Sequence, residues 1–144
     1  MPIERKAMTR FVLAALSFFV VTPVFTADPP AKPIVGTWEW TKKENNCTET
    51  YTYRADGTSL VESGQEKNED KYEISGKAEG SDRLRMKVTT VKDNGGKDCA
   101  GNDKDNTGQT AVVFVEFDSS YNEMIVCLDE KSFKCFGPLK RVAR

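Results

Sequence analysis

From Ile34 onward, apolar and polar residues alternate with a period of two, and this pattern limits the possible folds more than any other feature of the chain. Such alternation is typical of β-strands that bury one face, whereas helical repeats have a period of about 3.6 residues. Because helical periodicity is almost absent, we predict an all-β domain. The pattern predicts eight strands, at residues 35–42, 47–54, 58–64, 71–75, 83–91, 110–118, 123–128 and 133–142.

The segments between these strands are short, apart from one long polar loop at residues 92–109. Short connections favour an antiparallel meander, and closing eight strands into a barrel removes the exposed sheet edges. We therefore predict an eight-stranded up-and-down barrel, with a two-sheet β-sandwich as the alternative. A charged loop is predicted at residues 65–70. Three basic residues are predicted to form the solvated face of the fifth strand: Arg83, Arg85 and Lys87.

Residues 1–27 have the composition of a cleavable secretory signal: a basic start, an apolar run, and the small residue Ala27 at the expected cut. We expect a Pro-rich leader at residues 28–33 and a single domain at residues 34–144. The signal holds three basic and one acidic residue, which leaves 18 basic and 21 acidic residues and a net charge of −3. That charge argues against a nucleic-acid partner, and no transmembrane span is expected after cleavage.

The four cysteines all lie after the predicted signal, and an even number in an exported chain favours two disulfides. Three pairings are possible. In an antiparallel meander all four cysteines map to the same end of the barrel. Cys127 and Cys135 flank one turn symmetrically, so a three-residue loop at residues 130–132 would place them opposite each other. We predict that pair, which leaves Cys47 with Cys99, whereas a Cys47–Cys135 bond would contradict the assignment.

The motif Gly36-Thr37-Trp38, at the start of the first strand, resembles the Gly-x-Trp signature of lipocalins and of compact bacterial lipocalin-like barrels. The resemblance implies that Trp38 lies at the closed end of a barrel. It also implies that a basic residue late in the last strand packs over this ring. Arg141 occupies the matching position, with Lys140 as the substitute in a different register. A guanidinium stacked on an indole is physically favourable, so we expect a structural Trp38–Arg141 pair.

Several aromatic and methionine side chains fall on the predicted inner face of the barrel. Together they could line a site for a small apolar or aromatic ligand, with tyrosine hydroxyls fixing its orientation. The alternative is that they simply fill the interior. The candidate ligand-binding residues are Trp40, Tyr51, Tyr53, Tyr72, Met86 and Met124.

The chain contains no histidine, which excludes Ser-His-Asp and Cys-His catalysis and every histidine-based metal site. We therefore predict a protein that is not an enzyme and needs no cofactor. Asp103, Asp105 and Thr107 match the first positions of a calcium-binding EF-hand loop. Phe114 occupies the position that requires a glutamate, so we favour a solvated loop and predict no metal.

The sequence is compatible with two functions. The first is an exported, monomeric carrier or sensor that binds a small apolar ligand inside the barrel. The second is a protein-binding module, such as a periplasmic or secreted inhibitor of an enzyme. The resemblance supports the second, because in related inhibitors an extended N-terminal segment enters the target's cleft, and the stiff leader at residues 28–33 could do the same.

Overall fold

The computed structural model describes residues 32–131 and 134–142, and these residues form eight β-strands and no helix. The predicted signal and most of the predicted leader lie outside the described residues. No helix in the described ranges is long and apolar enough to cross a membrane. The strands are β1 (Gly36–Lys42), β2 (Cys47–Tyr53), β3 (Thr58–Ser63), β4 (Glu66–Lys77), β5 (Leu84–Asp93), β6 (Thr110–Phe117), β7 (Glu123–Cys127) and β8 (Cys135–Arg141).

Each strand pairs antiparallel with the next along the chain, and β8 returns to pair with β1. The sheet is therefore a closed up-and-down barrel, which confirms the predicted fold and excludes the two-sheet sandwich. We call the end where β1 begins the Trp38 end. The opposite end is the cysteine end, because Cys47, Cys127 and Cys135 bound strands there and Cys99 lies in the connection from β5 to β6.

The predicted loop at residues 65–70 is wrong, because β4 begins at Glu66 and only Gly64 and Gln65 connect it to β3. Gly64 has a φ of +60°, which allows this tight connection. The prediction failed because both faces of residues 66–70 are polar. Where the inward-facing residues of a strand are themselves charged, the alternation of apolar and polar residues that identifies a strand is absent.

The long connection from β5 to β6 spans residues 94–109, so the predicted loop began two residues too early. The predicted solvated position of Arg83 is also wrong. Its side chain is 16% exposed and its Nε lies 3.2 Å from an oxygen of Glu116. It also donates a hydrogen bond to the backbone oxygen of Glu130, so the connection from β7 to β8 folds back toward it. Arg85 and Lys87 are exposed, as predicted.

The apolar core fills the barrel from the Trp38 end to its middle. The largest fully buried side chains are Trp38, Ile34, Met86, Met124 and Leu139. Inward-facing residues of β1 and β5 to β8 supply most of this cluster, and Ile34 closes it from below β1. The apolar core therefore does not fill the whole interior. Toward the cysteine end, the inward-facing residues of β2 to β5 are largely polar or acidic.

Candidate functional site

Trp38 and Arg141 form the stacked pair that the sequence predicted, at the Trp38 end of the barrel. The two residues are register partners across the closing strand pair, and the guanidinium carbon lies 4.1 Å from the centre of the indole ring. The indole Nε1 donates to the backbone oxygen of Ile34 at 2.8 Å. Arg141 donates further hydrogen bonds to the backbone oxygens of Pro33, Val35 and Tyr121. This network ties the segment before β1 to the last strand.

The same contact explains the glycine of the Gly-x-Trp motif. Gly36 has a φ of +136°, and a Cβ at this position would lie 2.6 Å from Nη1 of Arg141. Both the backbone angle and the passing guanidinium therefore require a residue without a side chain. The glycine and the tryptophan of the motif therefore serve the same contact: Gly36 leaves room for Arg141, and Arg141 covers Trp38.

The six candidate ligand-binding residues form two groups in the interior. Tyr53 and Tyr72 meet edge to face with ring centres 5.1 Å apart, and Met86 and Met124 are 1% exposed within the same core. The other group packs on Phe136, a residue that the sequence analysis did not single out. Its members are Trp40 and Tyr51. All six therefore pack against core neighbours, and Tyr72, Trp40 and Met124 also border clefts.

The cleft that Tyr72 borders lies at the Trp38 end and has a volume of about 600 Å³. Its apolar wall is formed by inward-facing side chains of β4 and β5, together with Pro33 and Ile34 below them. A register shift interrupts the pairing of β4 with β5 between Ile74 and Lys77, and Ile74 is 37% exposed. Leu84 completes the wall, and the turn at residues 55–57 forms the opposite side. The barrel interior is thus accessible here.

A second cleft, of about 500 Å³, lies at the seam between β1 and β8. These strands share only two register pairs in the described residues, Trp38 with Arg141 and Glu39 with Lys140. Val142 N also donates to the Thr37 oxygen, whereas no register pair follows Glu39 toward the cysteine end, where Trp40 and Pro138 line the cleft. The walls are mostly charged or polar residues, so this cleft offers less apolar surface than the one at the Trp38 end.

The interior toward the cysteine end is acidic, a feature that the sequence analysis missed. Strand alternation places four carboxylates on the inward side: Glu49, Glu66, Asp70 and Asp93. Three of them were assigned to predicted loops, where they counted as solvated charges. The signal that could have found them is the spacing of Glu66, Asn68 and Asp70, which is that of one face of a strand.

Neutral donors satisfy part of this acidic interior. The hydroxyls of Tyr51 and Ser63 donate to Glu49, and the amides of Gly95 and Asn106 donate to Asp93. Asp70 differs, because it is 4% exposed and its Oδ1 has no hydrogen-bond partner. The hydroxyl of Ser59 also lacks a partner and is 2% exposed. Ser59 and Asp70 are direct register partners on β3 and β4.

Burial changes the protonation of these groups. It raises the pKa of Asp70, an effect that Asp93 increases and that a hydrogen bond with Thr90 opposes. Burial also raises the pKa of Glu66, with a further contribution from the charge of Asp93. The pKa values of Tyr51 and Tyr53 rise for the same reason, so both phenols stay neutral. Carboxylates that share one interior disfavour each other's ionisation.

The loop at residues 94–109 is fastened to the rim of this acidic interior. The predicted disulfide between Cys47 and Cys99 is confirmed, with a Cα separation of 5.5 Å. The Cys99 amide donates to Ser63 Oγ, and the side chain of Asn45 donates to the Cys99 oxygen. Gly96 lies directly against Gln65, because a Cβ added to Gly96 would lie 2.2 Å from the backbone oxygen of Gln65. The loop is therefore packed onto the rim.

The second predicted disulfide, between Cys127 and Cys135, is also confirmed. The two residues are direct register partners, as the symmetric turn required. Two disulfides suggest folding in an oxidising compartment. Within residues 32–131 and 134–142, no group of three or more acidic, cysteine or histidine side chains is arranged to hold a metal ion.

Comparisons with protein-family models, with curated proteins and with solved structures find no match to this chain.

Proposed function

We propose that this chain is an exported, non-enzymatic protein of the lipocalin-like kind that binds a small ligand with an apolar or aromatic part. One observation carries the proposal: at the Trp38 end, inward-facing apolar side chains border an accessible cleft of about 600 Å³. That volume lies within the range of about 300–1,000 Å³ that is usual for small-molecule sites. The periplasm or the exterior of the cell is the compartment that suits its two disulfides.

The walls of the cleft combine apolar and aromatic surface with a few polar groups, as small-molecule sites usually do. Ile34, Ile74 and Leu84 supply apolar surface, and Tyr72 adds an aromatic ring. The Tyr72 hydroxyl already donates to the backbone oxygen of Arg54 at 2.5 Å, so the ring is held in place and its orientation is fixed before a ligand arrives. Lys32 and Asp56 lie at the edge, where a polar end of the ligand would meet solvent.

The alternative, an inhibitor that docks on a protein, has weaker support. It would need a contiguous exposed apolar surface or an ordered leader. The large apolar side chains that are exposed in the described residues are Ile74 on β4, Val91 on β5 and Leu128 in the connection after β7. Most of the leader lies outside the described residues.

The test is a fluorescence titration with anilinonaphthalene sulfonate, an aromatic probe whose emission rises in apolar surroundings. We expect saturable binding at one site. Ile74→Asp places a charge in the apolar wall and is expected to weaken binding at least about tenfold. Ile74→Ser, a milder change at the same position, is measured beside it and is expected to weaken binding less.

Val91→Asp is the matched control, because Val91 is 50% exposed on the neighbouring strand and does not border this cleft. It is expected to bind the probe as the unaltered protein does. Unsaturable binding, or equal losses in the Val91→Asp and Ile74→Asp variants, would contradict the proposal.

A further inference from the structure

The seam between β1 and β8 is paired over part of its length. The two strands form the register pairs Trp38–Arg141 and Glu39–Lys140, and within the described residues no further pair follows toward the cysteine end. β1 continues to Lys42 and stays paired with β2 over that length. The other edge of β1 therefore has no strand partner in the described part of the chain for about 10 Å, the length of three strand residues. We call this part of the barrel the open seam.

The sequence of β8 explains why the pairing stops. Two residues on from Glu39 and two residues back from Lys140, the same register would place Pro138 opposite Thr41. Proline has no amide N–H, so Pro138 cannot donate a hydrogen bond to β1, and prolines within sheets are found mainly at edges. Thr41 and Pro138 are both exposed, so solvent reaches the seam at this point.

The alternation of the ladder identifies which backbone groups of β1 point into the open seam. In an antiparallel pair, every second residue directs its N–H and its C=O toward the same neighbouring strand. The Val142 amide donates to the Thr37 oxygen, so Thr37, and after it Glu39 and Thr41, direct these groups toward β8. The N–H and C=O of Thr41 therefore point into the open seam, as they would on the edge strand of an open sheet.

The cleft of about 500 Å³ at the open seam provides room for a side chain. Trp40 lines this cleft and is partly buried, and Phe136 packs on its ring with the two ring centres 5.5 Å apart. A large apolar side chain that enters from outside would therefore meet an indole that is already held in place. The cleft offers one aromatic contact among polar walls, which suits a single side chain better than a broad apolar surface.

The border of the open seam is basic. Lys43 and Lys140 line the cleft, together with one acidic residue, Glu39. Lys140 lies 3.9 Å from Glu123, whereas Lys43 is exposed and belongs to none of the ion pairs within residues 32–131 and 134–142. The charge of Lys43 is therefore available to an acidic group of a partner.

We propose that an extended segment of a partner protein adds to β1 in the open seam as a further strand, with an apolar or aromatic side chain against Trp40 and an acidic residue beside Lys43. Backbone hydrogen bonds with Thr41 hold the segment, and the two side-chain contacts select it. Strand addition needs neither a broad apolar surface nor the leader at residues 28–33. The open seam shares no lining residue with the cleft at the Trp38 end, so this proposal and the proposed small-ligand site succeed or fail independently.

Fluorescence anisotropy tests the proposal with a fluorescein-labelled, amidated heptapeptide, Glu-Thr-Val-Phe-Val-Thr-Glu. We expect saturable binding of this peptide. A version with proline in place of both valines, and a version with lysine at both ends, should each bind at least about tenfold more weakly. Thr41→Pro removes the N–H that faces the seam, at a position where an edge strand accepts proline, and should weaken binding at least about tenfold.

Lys43→Glu should reverse the preference between the acidic and the lysine-ended peptides, and this exposed position tests the proposal even where Thr41→Pro fails to fold. Lys71→Glu is the matched control, because Lys71 is exposed on β4 and does not border this cleft. It changes the net charge equally and should keep the preference of the unaltered protein.

Hydrogen exchange gives a second measurement. In the free protein the Thr41 amide should exchange at least about tenfold faster than the Trp40 amide, which belongs to the β1–β2 ladder, and bound peptide should slow exchange at Thr41. The proposal is overturned if no peptide binds saturably up to about 1 mM, if all three peptides bind alike, or if Thr41 already exchanges slowly in the free protein. A dimer that Thr41→Pro converts to a monomer would also overturn it, because a second copy of the chain would then occupy the open seam.

Discussion

At the scale of single residues, Arg141 does more than cover an aromatic ring. Its guanidinium stacks on Trp38 and donates to three backbone oxygens, those of Pro33, Val35 and Tyr121. Pro33 and Val35 precede or begin the barrel, whereas Tyr121 belongs to the turn before β7. One side chain therefore joins three parts of the Trp38 end, and its flat, multi-donor shape suits this task in a way that lysine cannot match.

Arg141→Ala is expected to destabilise the protein by at least about 2 kcal/mol, because three part-buried carbonyls lose a charged donor and the indole loses its cover. Arg141→Lys should recover only part of the loss. Lys140→Ala is the control, since Lys140 is exposed, and it should change the free energy of unfolding by less than about 0.5 kcal/mol. Chemical denaturation measures all three. Equal stability of the Arg141→Ala and Lys140→Ala variants would contradict this role.

Asp70 is expected to make the protein less stable as the pH rises toward neutrality. Its pKa in the folded state is raised above the ordinary value of 3.8, mainly by burial. The folded state therefore holds this proton where the unfolded chain has lost it. The corresponding stability is complete below the unfolded pKa and is lost as the pH rises through the folded pKa.

Asp70→Asn should remove this pH dependence and raise stability at neutral pH by about 1 kcal/mol, because an amide needs no counter-charge. Denaturation midpoints measured from about pH 4 to about pH 7 provide the check. Glu73→Gln serves as the control and should keep the slope of the unaltered protein. A slope that persists unchanged in Asp70→Asn would show that Asp70 does not cause it.

The sequence was informative about residues whose role depends on their type and order. The Gly-x-Trp motif and the late arginine predicted a contact between residues about a hundred positions apart, and the contact is present. The sequence was uninformative about Asp70, because whether a carboxylate is solvated or buried depends on which face of a strand it occupies. Because residues 65–70 were predicted to form a loop, no strand face was assigned to Asp70.

At the scale of elements, the connections at the cysteine end determine access to the interior. The loop at residues 94–109 carries Cys99, which is bonded to the first residue of β2, so the loop is tied to the rim of the barrel. Alternation predicted the order and number of the strands correctly, since most of them bury an apolar face. Strand ends were predicted less well, because polar residues at a rim look the same in a strand and in a loop.

The two disulfides should differ in their contribution to stability. Cys47–Cys99 closes a span of 52 residues and Cys127–Cys135 a span of 8. Loop-closure entropy predicts losses of about 4 and about 2.5 kcal/mol, respectively, when each pair is replaced by serine. Urea denaturation of the two double variants measures both. A larger loss for the shorter span would contradict this ordering.

At the scale of the whole molecule, the barrel has two ends with different chemistry. The Trp38 end combines a filled apolar core with one accessible cleft, and the cysteine end combines an acidic interior with a packed loop. The closed meander places these features apart, because every connection joins neighbouring strands at one end or the other.

We propose that a small ligand with an aromatic or apolar part binds in the cleft at the Trp38 end. The most direct test is a residue-resolved NMR titration of the labelled protein with anilinonaphthalene sulfonate. We predict saturable shifts of the backbone amides of Tyr72, Ile74 and Leu84, which border the cleft. Shifts confined to the β1–β8 seam or the cysteine end, or the absence of saturable shifts, would contradict it.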